Sequence, residues 1–381
     1  MATGLVANDA GVDSFAEAAS RAQLGLGGAP ADLVAVFAGG ANLASAEDGL
    51  AAVEARLGAR ALMGCGAQGV LGAGRELERG GVVVWAASLG GGEAQSFHLE
   101  PLATGDEGLV IAGLPELDDA DAVIMLADPY SFPVEPLLAQ LGEDFPGLPV
   151  IGGLASARGP DGCVLLYDDA VAHSGAVGAV LRGVDVRSCV SQGARPIGPE
   201  MVITAADGNV VHELASRPAL VRLREAIAEL DSEERLLAAH GLLLGIVIDE
   251  NRPEYLRGDF LVRGLVDVDE ETGSVTVGDL VRVGQTARLQ VRDGMSADED
   301  LRDVLSGQLR ELPGPPAGAL VFTCNGRGVG MFGAPDHDVS ALEDAFGDVP
   351  AAGFFCAGEI GPVGSRNFLH GFTATMAVFP G

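Results

Sequence analysis

The stretch AAGFFCAGEIGPVGSRNFLHGFTATMAVF, residues 351–379, carries the pattern that decides the fold. It starts with an apolar run of strand length, turns through glycines and ends in a second apolar run. Another strand-like run, ALVFTCNG (319–326), precedes it, and a helix is predicted near 340–346. Strand, helix and strand of these lengths predict a right-handed β-α-β crossover with parallel strands.

The same module occurs three times along the chain. The first copy has strand-like runs at 33–40, 61–69 and 82–89 and a helix near 45–57. The second copy has strand-like runs at 122–129, 149–156 and 176–183 and a helix near 134–143. The third copy is the one quoted above, with its last strand at 371–379. Because the apolar runs are nearly continuous, they are typical of strands buried on both faces.

Between the second and third copies the pattern changes. Helical periodicity covers 218–230 and 232–240, and a third helix is predicted from Ser296 to about Leu309. Strand-like runs lie between these helices, at 242–248, 260–266, 274–277 and 286–291. The alternation in SVTVGDLVRVGQTARLQVRD (274–293) predicts an antiparallel sheet. Helix starts are predicted at four capping residues, namely Ser45, Asp231, Ser296 and Ser340.

These patterns predict an α/β protein in which repeated β-α-β modules form two mixed sheets, with antiparallel strands in the C-terminal half. We expect a leader segment at 1–30, an α/β domain at 31–217 and a second α/β domain at 218–381, with the boundary near 215–218.

Composition excludes several classes of function. The net charge of −31 opposes binding to nucleic acid and to anionic membranes. Lysine is absent, because all 23 basic residues are arginine, which excludes a P-loop, a pyridoxal enzyme and a protein-kinase core. The five cysteines are scattered without a CxxC pair, so neither a zinc knuckle nor a disulfide framework is indicated. The N-terminus lacks a signal-peptide pattern and the longest apolar runs are strand-sized, so we expect a cytoplasmic protein.

Polar residues in the third module form the candidate site. Ligands of open α/β sheets collect at the carboxyl ends of strands, where two polar turns of this module follow their strands. Glu359 and Arg366 are predicted to hold the ammonium and carboxylate of an amino acid. The predicted ligand-binding residues are Asn325, Arg327, Cys356, Glu359, Arg366 and Asn367. The alternative is a buried Glu–Arg pair that only fixes a turn.

The sequence also contains candidates for three other kinds of site. Cys356 or Cys324 could act as a nucleophile with His370 as base, but Cys65, placed at the matching position of the first copy, has no such histidine and favours a packing role. The GCGAQG sequence (64–69) matches the dinucleotide fingerprint, but glycines break the helix that should follow. Asp336, His337 and Asp338, with His370, are the plausible metal ligands, yet a solvated loop fits 336–338 better. We therefore predict neither a metal nor a cofactor.

Several stretches resemble the FIST sensory domains. ADLVAVFAGG and PVIGGLAS resemble the N-terminal half of that family, and the sequences that begin at CNGRGVGMF and GFFCAGEIG resemble the end of its C-terminal half. The resemblance covers roughly residues 30–379. It implies a sensory module that binds a small polar ligand such as an amino acid, with a signalling protein as partner and no chemistry of its own. A hydrolase or transferase that uses Cys356 or Glu359 with His370 remains the alternative.

Overall fold

The computed structural model describes residues 1–8, 10–103, 109–160 and 162–381. The helices are α1 (Val12–Leu26), α2 (Ala46–Leu57), α3 (Val134–Asp144), α4 (Ala219–Glu229), α5 (Ser232–His240), α6 (Gly294–Glu311), α7 (Val329–Phe332) and α8 (His337–Phe346). Two 3-10 helices span Gly40–Ser45 and Arg257–Asp259. Within the described ranges, no helix is long and apolar enough to cross a membrane.

The strands are numbered β1 to β28 in chain order. The first fourteen are β1 (Ala2–Val6), β2 (Leu33–Ala38), β3 (Ala61–Gly66), β4 (Val70–Gly72), β5 (Arg75–Leu77), β6 (Val82–Ala87), β7 (Glu93–Ala103), β8 (Leu109–Ala112), β9 (Ala122–Ala127), β10 (Val150–Leu154), β11 (Arg158–Gly159), β12 (Gly162–Cys163), β13 (Leu165–Tyr167) and β14 (Ala170–Ala172). The others are β15 (Ala176–Arg182), β16 (Arg187–Gln192), β17 (Ala194–Asp207), β18 (Val210–Leu214), β19 (Arg217–Pro218), β20 (Leu242–Val247), β21 (Phe260–Asp269), β22 (Ser274–Val277), β23 (Thr286–Arg292), β24 (Pro316–Cys324), β25 (Ala351–Cys356), β26 (Glu359–Val363), β27 (Arg366–His370) and β28 (Thr373–Pro380).

Contacts divide the chain into two compact units. Unit 1 comprises Met1–Val190, Leu301–Leu369 and Ala374–Gly381, and unit 2 comprises Ser191–Asp300 and His370–Thr373. The predicted domain boundary at 217/218 stays a prediction. The two compact units are divided differently, because unit 1 contains residues from both sides of that boundary. The mixed α/β class is confirmed. The described residues form four large sheets rather than the two we expected, because each of the three modules has its own sheet and unit 2 has a fourth.

All three predicted modules are present in unit 1. In each of them two parallel strands flank a helix, as in β2–α2–β3, β9–α3–β10 and β24–α8–β25. A third strand then returns antiparallel to the first, and this strand is β6, β15 or β28 in the three modules. We call these units module 1, module 2 and module 3 in chain order. The strands are almost entirely buried, as their continuous apolar runs predicted.

The modules exchange hairpins in a cycle. After β3, the hairpin β4–β5 leaves module 1 and pairs with β25 of module 3. After β10, the hairpin β13–β14 of module 2 pairs with β3 of module 1. After β25, the hairpin β26–β27 of module 3 pairs with β10 of module 2. Each module thus completes the sheet of another, which gives unit 1 a pseudo-three-fold topology.

One glycine in the second strand of each module fixes the register of the repeat. A Cβ on Gly353 would lie 1.6 Å from the carbonyl oxygen of Val321, and a Cβ on Gly64 would lie 2.0 Å from that of Val36. Gly152 approaches the first strand of module 2 in the same way, at 1.9 Å. We call these three residues the module glycines. Their equivalence aligns the three copies residue by residue.

This alignment corrects one sequence inference. Cys65 follows its module glycine by one residue, whereas Cys356 follows its own by three. The counterpart of Cys65 is therefore Phe354, and the counterpart of Cys356 is Ala67. The prediction that Cys65 and Cys356 occupy matching positions was wrong, because the two cysteines lie at different distances from the glycine that pairs with the first strand of each module.

The turns after the second strands are joined by hydrogen bonds. The hydroxyl of Ser156 accepts a hydrogen bond from the backbone N–H of Gln68 at 2.8 Å and donates to the carbonyl oxygen of Phe355. The backbone N–H of Phe355 in turn donates to the carbonyl oxygen of Gly69 at 3.0 Å. All three modules thus contribute to a single hydrogen-bond network at the carboxyl ends of the strands, module 1 through two residues and the others through one each.

The described part of residues 1–30 packs within unit 1. Whether this part of the chain is a leader segment stays a prediction. Strand β1 pairs with β6 along its whole length, and helix α1 buries Phe15 completely. The helix carries small residues on its buried face, which allow it to approach the sheet closely: a Cβ on Gly4 would lie 2.0 Å from the carbonyl oxygen of Ala18. Burial of this face packs α1 against the sheet of module 1.

Unit 2 is built on antiparallel strands, as the alternating pattern predicted. The strands run in the order β17, β23, β20, β21, β22 and β18, and a pairing of β17 with β18 closes the ring. Helix α4 packs against this barrel with Leu220, Leu223 and Ala226 buried. Closure removes the exposed strand edges on which sheets aggregate.

The helix caps agree with the sequence in one case of four. Asp231 accepts hydrogen bonds from the N–H groups of the first turn of α5, as predicted. Ser45 precedes α2 but makes no side-chain cap bond. Ser296 and Ser340 lie inside α6 and α8, so these two predictions were wrong. In α8 the first-turn N–H groups bind a carboxylate from a distant part of the chain, which leaves no need for a local cap.

Candidate functional site

The candidate site lies where the two parallel strands of module 3 end. Cys324 and Cys356 are the last residues of β24 and β25 and pair in register. The turns that follow are therefore neighbours, and the backbone N–H of Asn325 donates to the carbonyl oxygen of Cys356 at 2.9 Å. This is the edge at which open α/β sheets bind ligands. We call Asn325, Arg327, Cys356 and Glu359 the carboxyl-edge cluster.

Arg327 is buried, at 3% exposure, in a charge network with Asp338. Its Nε and Nη2 donate to the two carboxylate oxygens of Asp338 at 2.7 and 2.8 Å. Thr323 and His337 also hydrogen-bond to Asp338, at 2.6 and 2.9 Å. Burial alone would raise the pKa of Asp338, but the Arg327 charge and these hydrogen bonds hold that pKa well below its usual range. Asp338 is thus a fixed anion that orients the guanidinium.

Two atoms of the cluster have unused hydrogen-bonding capacity. Nη1 of Arg327 donates to no other described residue, and Oδ1 of Asn325 accepts from none. Both atoms are buried. Buried polar atoms are satisfied in the great majority of cases, and each exception costs about 1–3 kcal/mol. A donor and an acceptor therefore lie unused within one turn, residues 325–327.

Glu359 is fully buried at the start of β26, opposite Gly153 of β10. Strand pairing with the module glycines makes Val70 and Leu165 its counterparts in the other two modules. The fold therefore accepts an apolar side chain at this position and does not require an acid. Burial would lower the pKa of Arg327, but the charge and hydrogen bonds of Asp338 oppose this effect and raise the pKa overall. The Glu359 carboxylate makes a smaller contribution in the same direction.

Cys356 is buried in the wall of this edge. Burial, followed by the charge of Glu359, raises the pKa of its thiol well above the usual range. A Cβ on Gly153 would lie 2.5 Å from the Cys356 sulfur, so the thiol packs directly on the backbone of β10. Because the thiolate is the nucleophilic form, this environment gives no support to the proposed role of Cys356 as a nucleophile.

The structure does not bring Arg366 to Glu359. Arg366 is exposed on β27, with its guanidinium 5.3 Å from the ring centre of Phe368. Glu359 and Arg366 are the first residues of two strands joined by a two-residue turn, so they lie at opposite ends of a hairpin, about 14 Å apart along the strand. The expected clamp of these two charges on one ligand is absent from this arrangement.

Asn367 and His370 are not part of the carboxyl-edge cluster as we define it. The Asn367 side chain accepts from the backbone N–H of Val150 at 2.9 Å and donates to the carbonyl oxygen of Leu148 at 2.8 Å. Both ends of its amide thus tie β27 to the entry of β10. His370 is buried at 3% exposure and belongs to unit 2, whereas Cys356 belongs to unit 1.

The segment 336–338 is not the solvated loop that we expected. Asp338 is 2% exposed, and Asp336 accepts a hydrogen bond from the backbone N–H of Glu76 at 2.6 Å. His337 stacks on Phe332 with ring centres 3.4 Å apart. Among the described residues, no group of three or more His, Cys, Asp or Glu side chains is arranged to hold a metal ion.

Glu76 is a site residue to which no sequence pattern pointed. It lies on β5 of the exchanged hairpin, 7% exposed, and its Oε1 accepts from the backbone N–H groups of Asp338 and Val339 at 2.8 and 3.0 Å. Burial and the nearby charge of Asp338 raise the pKa of Glu76 from 4.5 to about 7. Asp338, in contrast, could be inferred from the sequence. A buried arginine after a strand requires an acidic partner, and the first turn of α8 supplies one.

A short glycine-flanked segment covers Arg327. Helix α7 has four residues, none of them buried, between Gly328 (φ 101°) and Gly333 (φ 73°). The Arg327 guanidinium lies 5.0 Å from the ring centre of Phe332 in this helix. We call residues 328–333 the cover segment. Glu78 holds its start by accepting a hydrogen bond from the N–H of Val329 at 2.6 Å.

Comparisons with known proteins agree with the resemblance found in the sequence. A model of the FIST N domain matches residues 32–217, and a model of the FIST C domain matches residues 219–362. The chain is 46% identical over 366 residues to the uncharacterized protein Rv0628c of Mycobacterium tuberculosis (strain ATCC 25618 / H37Rv), which covers 96% of this chain and 95% of the relative.

Two further relatives extend the comparison. The uncharacterized protein Mb0898c of Mycobacterium bovis is 44% identical over 365 residues, or 95% of this chain and 94% of the relative. An F-box/LRR-repeat protein of Arabidopsis thaliana, At5g63520, is 28% identical over 146 residues, or 34% of this chain and 27% of that protein.

Proposed function

Because this chain belongs to the FIST family, whose domains are regarded as sensory domains of signal transduction, we propose that it senses a small polar ligand. The proposed ligand site is the carboxyl-edge cluster. One observation carries the proposal: a buried donor, Nη1 of Arg327, and a buried acceptor, Oδ1 of Asn325, lie unused in one turn.

The two unused atoms define the chemistry of the ligand. Nη1 of Arg327 requires an acceptor such as a carboxylate or carbonyl oxygen, and Oδ1 of Asn325 requires an N–H donor. An amino acid or a small amide carries both groups close together. Completing both hydrogen bonds in a dry site removes two desolvation penalties, which supports selective binding of such a ligand over one that lacks either group.

The cover segment supplies a route from binding to signalling. Arg327 is almost fully buried and the Phe332 ring lies 5.0 Å from its guanidinium, so displacement of Phe332 would open access to this group. The segment is short, glycine-flanked and largely exposed, and such a segment can move without disturbing the core. Ligand binding would then favour the conformation with the cover displaced, and a signalling partner would read this change at the surface.

The test is a thermal-shift screen of the full-length protein with amino acids, small amides and small carboxylates, preceded by native mass spectrometry of the freshly purified protein. We expect one ligand class to raise the melting temperature in a concentration-dependent way. Asn325→Ala should reduce the affinity for that ligand by about tenfold or more, because the substitution removes the acceptor without leaving an unpaired charge.

Arg366→Ala is the matched control, since it removes an exposed arginine of the same module. We expect this variant to bind as the wild-type protein does. Binding that survives Asn325→Ala but is lost in Arg366→Ala would reject the carboxyl-edge cluster as the ligand site. The absence of any hit across the three ligand classes would reject the sensor proposal for this chemistry.

A further inference from the structure

Module 2 holds a buried carboxylate at the carboxyl end of its first strand. Asp128 directly follows β9 and is 2% exposed. Its backbone N–H donates to the carbonyl oxygen of Gly175 at 2.9 Å, which fixes the turn. Strand pairing with the module glycines makes Gly39 and Cys324 its counterparts in modules 1 and 3. The fold therefore does not require an acid at this position, which lies on the edge where α/β sheets bind ligands.

The two carboxylate oxygens of Asp128 differ in their surroundings. Oδ2 accepts a hydrogen bond from the Ser131 hydroxyl at 2.6 Å, and this hydroxyl accepts from the N–H of Gly175 at 2.9 Å. Oδ1 is buried and accepts a hydrogen bond from no described residue. Burial, followed by the Asp128 charge, raises the pKa of the Cys163 thiol to about 12, so no second anion forms beside this carboxylate. A buried anionic oxygen of this kind favours a cationic N–H donor as its partner.

Arg158 fills the place of such a donor incompletely. Its Nη1 lies 3.5 Å from Oδ1 of Asp128, which makes an ion pair without a hydrogen bond. The same guanidinium lies over the Tyr130 ring, 5.2 Å from its centre. The Arg158 side chain is 49% exposed and Tyr130 is 81% exposed, so both groups lie at the surface above the buried carboxylate. An exposed guanidinium in such a pair contributes little to stability and can be displaced.

We propose that Asp128 and Tyr130 bind the primary ammonium group of a small organic amine, which takes the place of the Arg158 guanidinium. A carboxylate and an aromatic face together recognise a cation, and Arg158 already makes both contacts within the chain. An ammonium group carries three donors, so it can give Oδ1 the hydrogen bond that Arg158 does not. This site lies in module 2 and does not depend on the ligand proposed for the carboxyl-edge cluster.

The chemistry of the site separates a primary amine from other cations. A quaternary ammonium ion has the same charge but no N–H group, so it leaves Oδ1 without a hydrogen bond. A metal ion is disfavoured, because Asp128 belongs to no group of three potential metal ligands among the residues that the structure describes. The net charge of −31 favours the approach of any small cation, so specificity must come from the hydrogen bond.

The experiment is a titration of the ²H,¹⁵N-labelled full-length protein with methylammonium chloride, with sodium chloride added to keep the ionic strength constant. The amide resonances of Asp128 and Ser131 report binding. We expect saturable shifts of both resonances. Tetramethylammonium chloride, which supplies the charge without N–H donors, should bind about tenfold more weakly or not at all.

Three variants sharpen the test. Arg158→Ala removes the competing guanidinium, so it should increase the affinity for methylammonium about tenfold. Asp128→Asn keeps an acceptor for Ser131 but removes the charge, so it should abolish the saturable shifts. Asp119→Asn is the matched control, since it removes an exposed carboxylate of unit 1 that pairs with Arg182 at 2.6 Å. This variant should bind methylammonium as the wild-type protein does.

Four outcomes would overturn the proposal: no saturable shift with methylammonium, equal affinity for tetramethylammonium, unchanged or lower affinity in Arg158→Ala, or unchanged binding in Asp128→Asn. If Asp128→Asn does not fold, the comparison of the two cations on the wild-type protein and on Arg158→Ala still decides.

Discussion

Replacement of Glu76 by glutamine tests the buried charge network that underlies the carboxyl-edge cluster. Burial and Asp338 raise the pKa of Glu76 from 4.5 to about 7 in the folded protein. The folded state therefore holds this proton more tightly than the unfolded chain. Stability from this group is fully present below about pH 4.5 and is lost as pH rises through 7.

The magnitude follows from the shift. A difference of roughly 2.5 pKa units at about 1.36 kcal/mol per unit amounts to about 3 kcal/mol lost by pH 8. Glu76→Gln cannot ionise, and the amide oxygen can accept the same two N–H groups that Oε1 accepts. We expect the variant to equal the wild-type protein at pH 4.5 and to be more stable by about 2–3 kcal/mol at pH 8.

Urea unfolding at pH 4.5, 6 and 8 measures this difference. Trp85 is the sole tryptophan of the sequence, fully buried, and lies in unit 1 with Glu76, so its fluorescence reports the right unit. Glu47→Gln, which removes an exposed acid from the start of another helix, is the control and should show no such pH dependence. A Glu76→Gln variant that is destabilised equally at all three pH values would refute the reasoning.

Three further predictions concern packing and reactivity. Gly353→Ala places a Cβ 1.6 Å from the Val321 carbonyl oxygen and should prevent stable folding, whereas Gly330→Ala, which meets nothing within 4 Å, should leave the melting temperature nearly unchanged. Asn367→Ala removes two buried hydrogen bonds and should cost about 2 kcal/mol in urea unfolding, with no change in ligand affinity; a loss of affinity at unchanged stability would contradict the structural role. Cys356 should resist iodoacetamide at pH 8 in the native protein and react after denaturation, and rapid labelling of the native thiol, detected by peptide mass spectrometry, would contradict its burial.

The proposed ligand site depends on an arginine side chain whose hydrogen-bond donors are only partly used within the protein. Asp338 binds one side of the Arg327 guanidinium and leaves Nη1 unused. Because the Arg327–Asp338 pair is buried, truncation of either partner would leave an unpaired charge and destabilise the protein. Asn325 is the better residue for mutagenesis, since its change removes a proposed ligand contact and leaves the Arg327–Asp338 pair intact.

The sequence by itself determined the three modules, the antiparallel strands of residues 242–291 and the turns that carry Asn325 and Arg327. These features depend on local periodicity and glycine placement, which a single sequence displays. It also singled out Glu359, whose counterparts in the other modules are the apolar residues Val70 and Leu165.

Only the tertiary structure decided which charges meet. The sequence analysis paired Glu359 with Arg366 because their charges complement the two ends of an amino acid, but the hairpin β26–β27 carries them to opposite ends. It could not pair Glu76 with the start of α8, because that contact spans 262 residues and requires the hairpin of one module to complete the sheet of another. Local patterns specify strands and helices. The exchange of hairpins depends on burial over the whole of unit 1, and this exchange determines which charged groups lie together in the site.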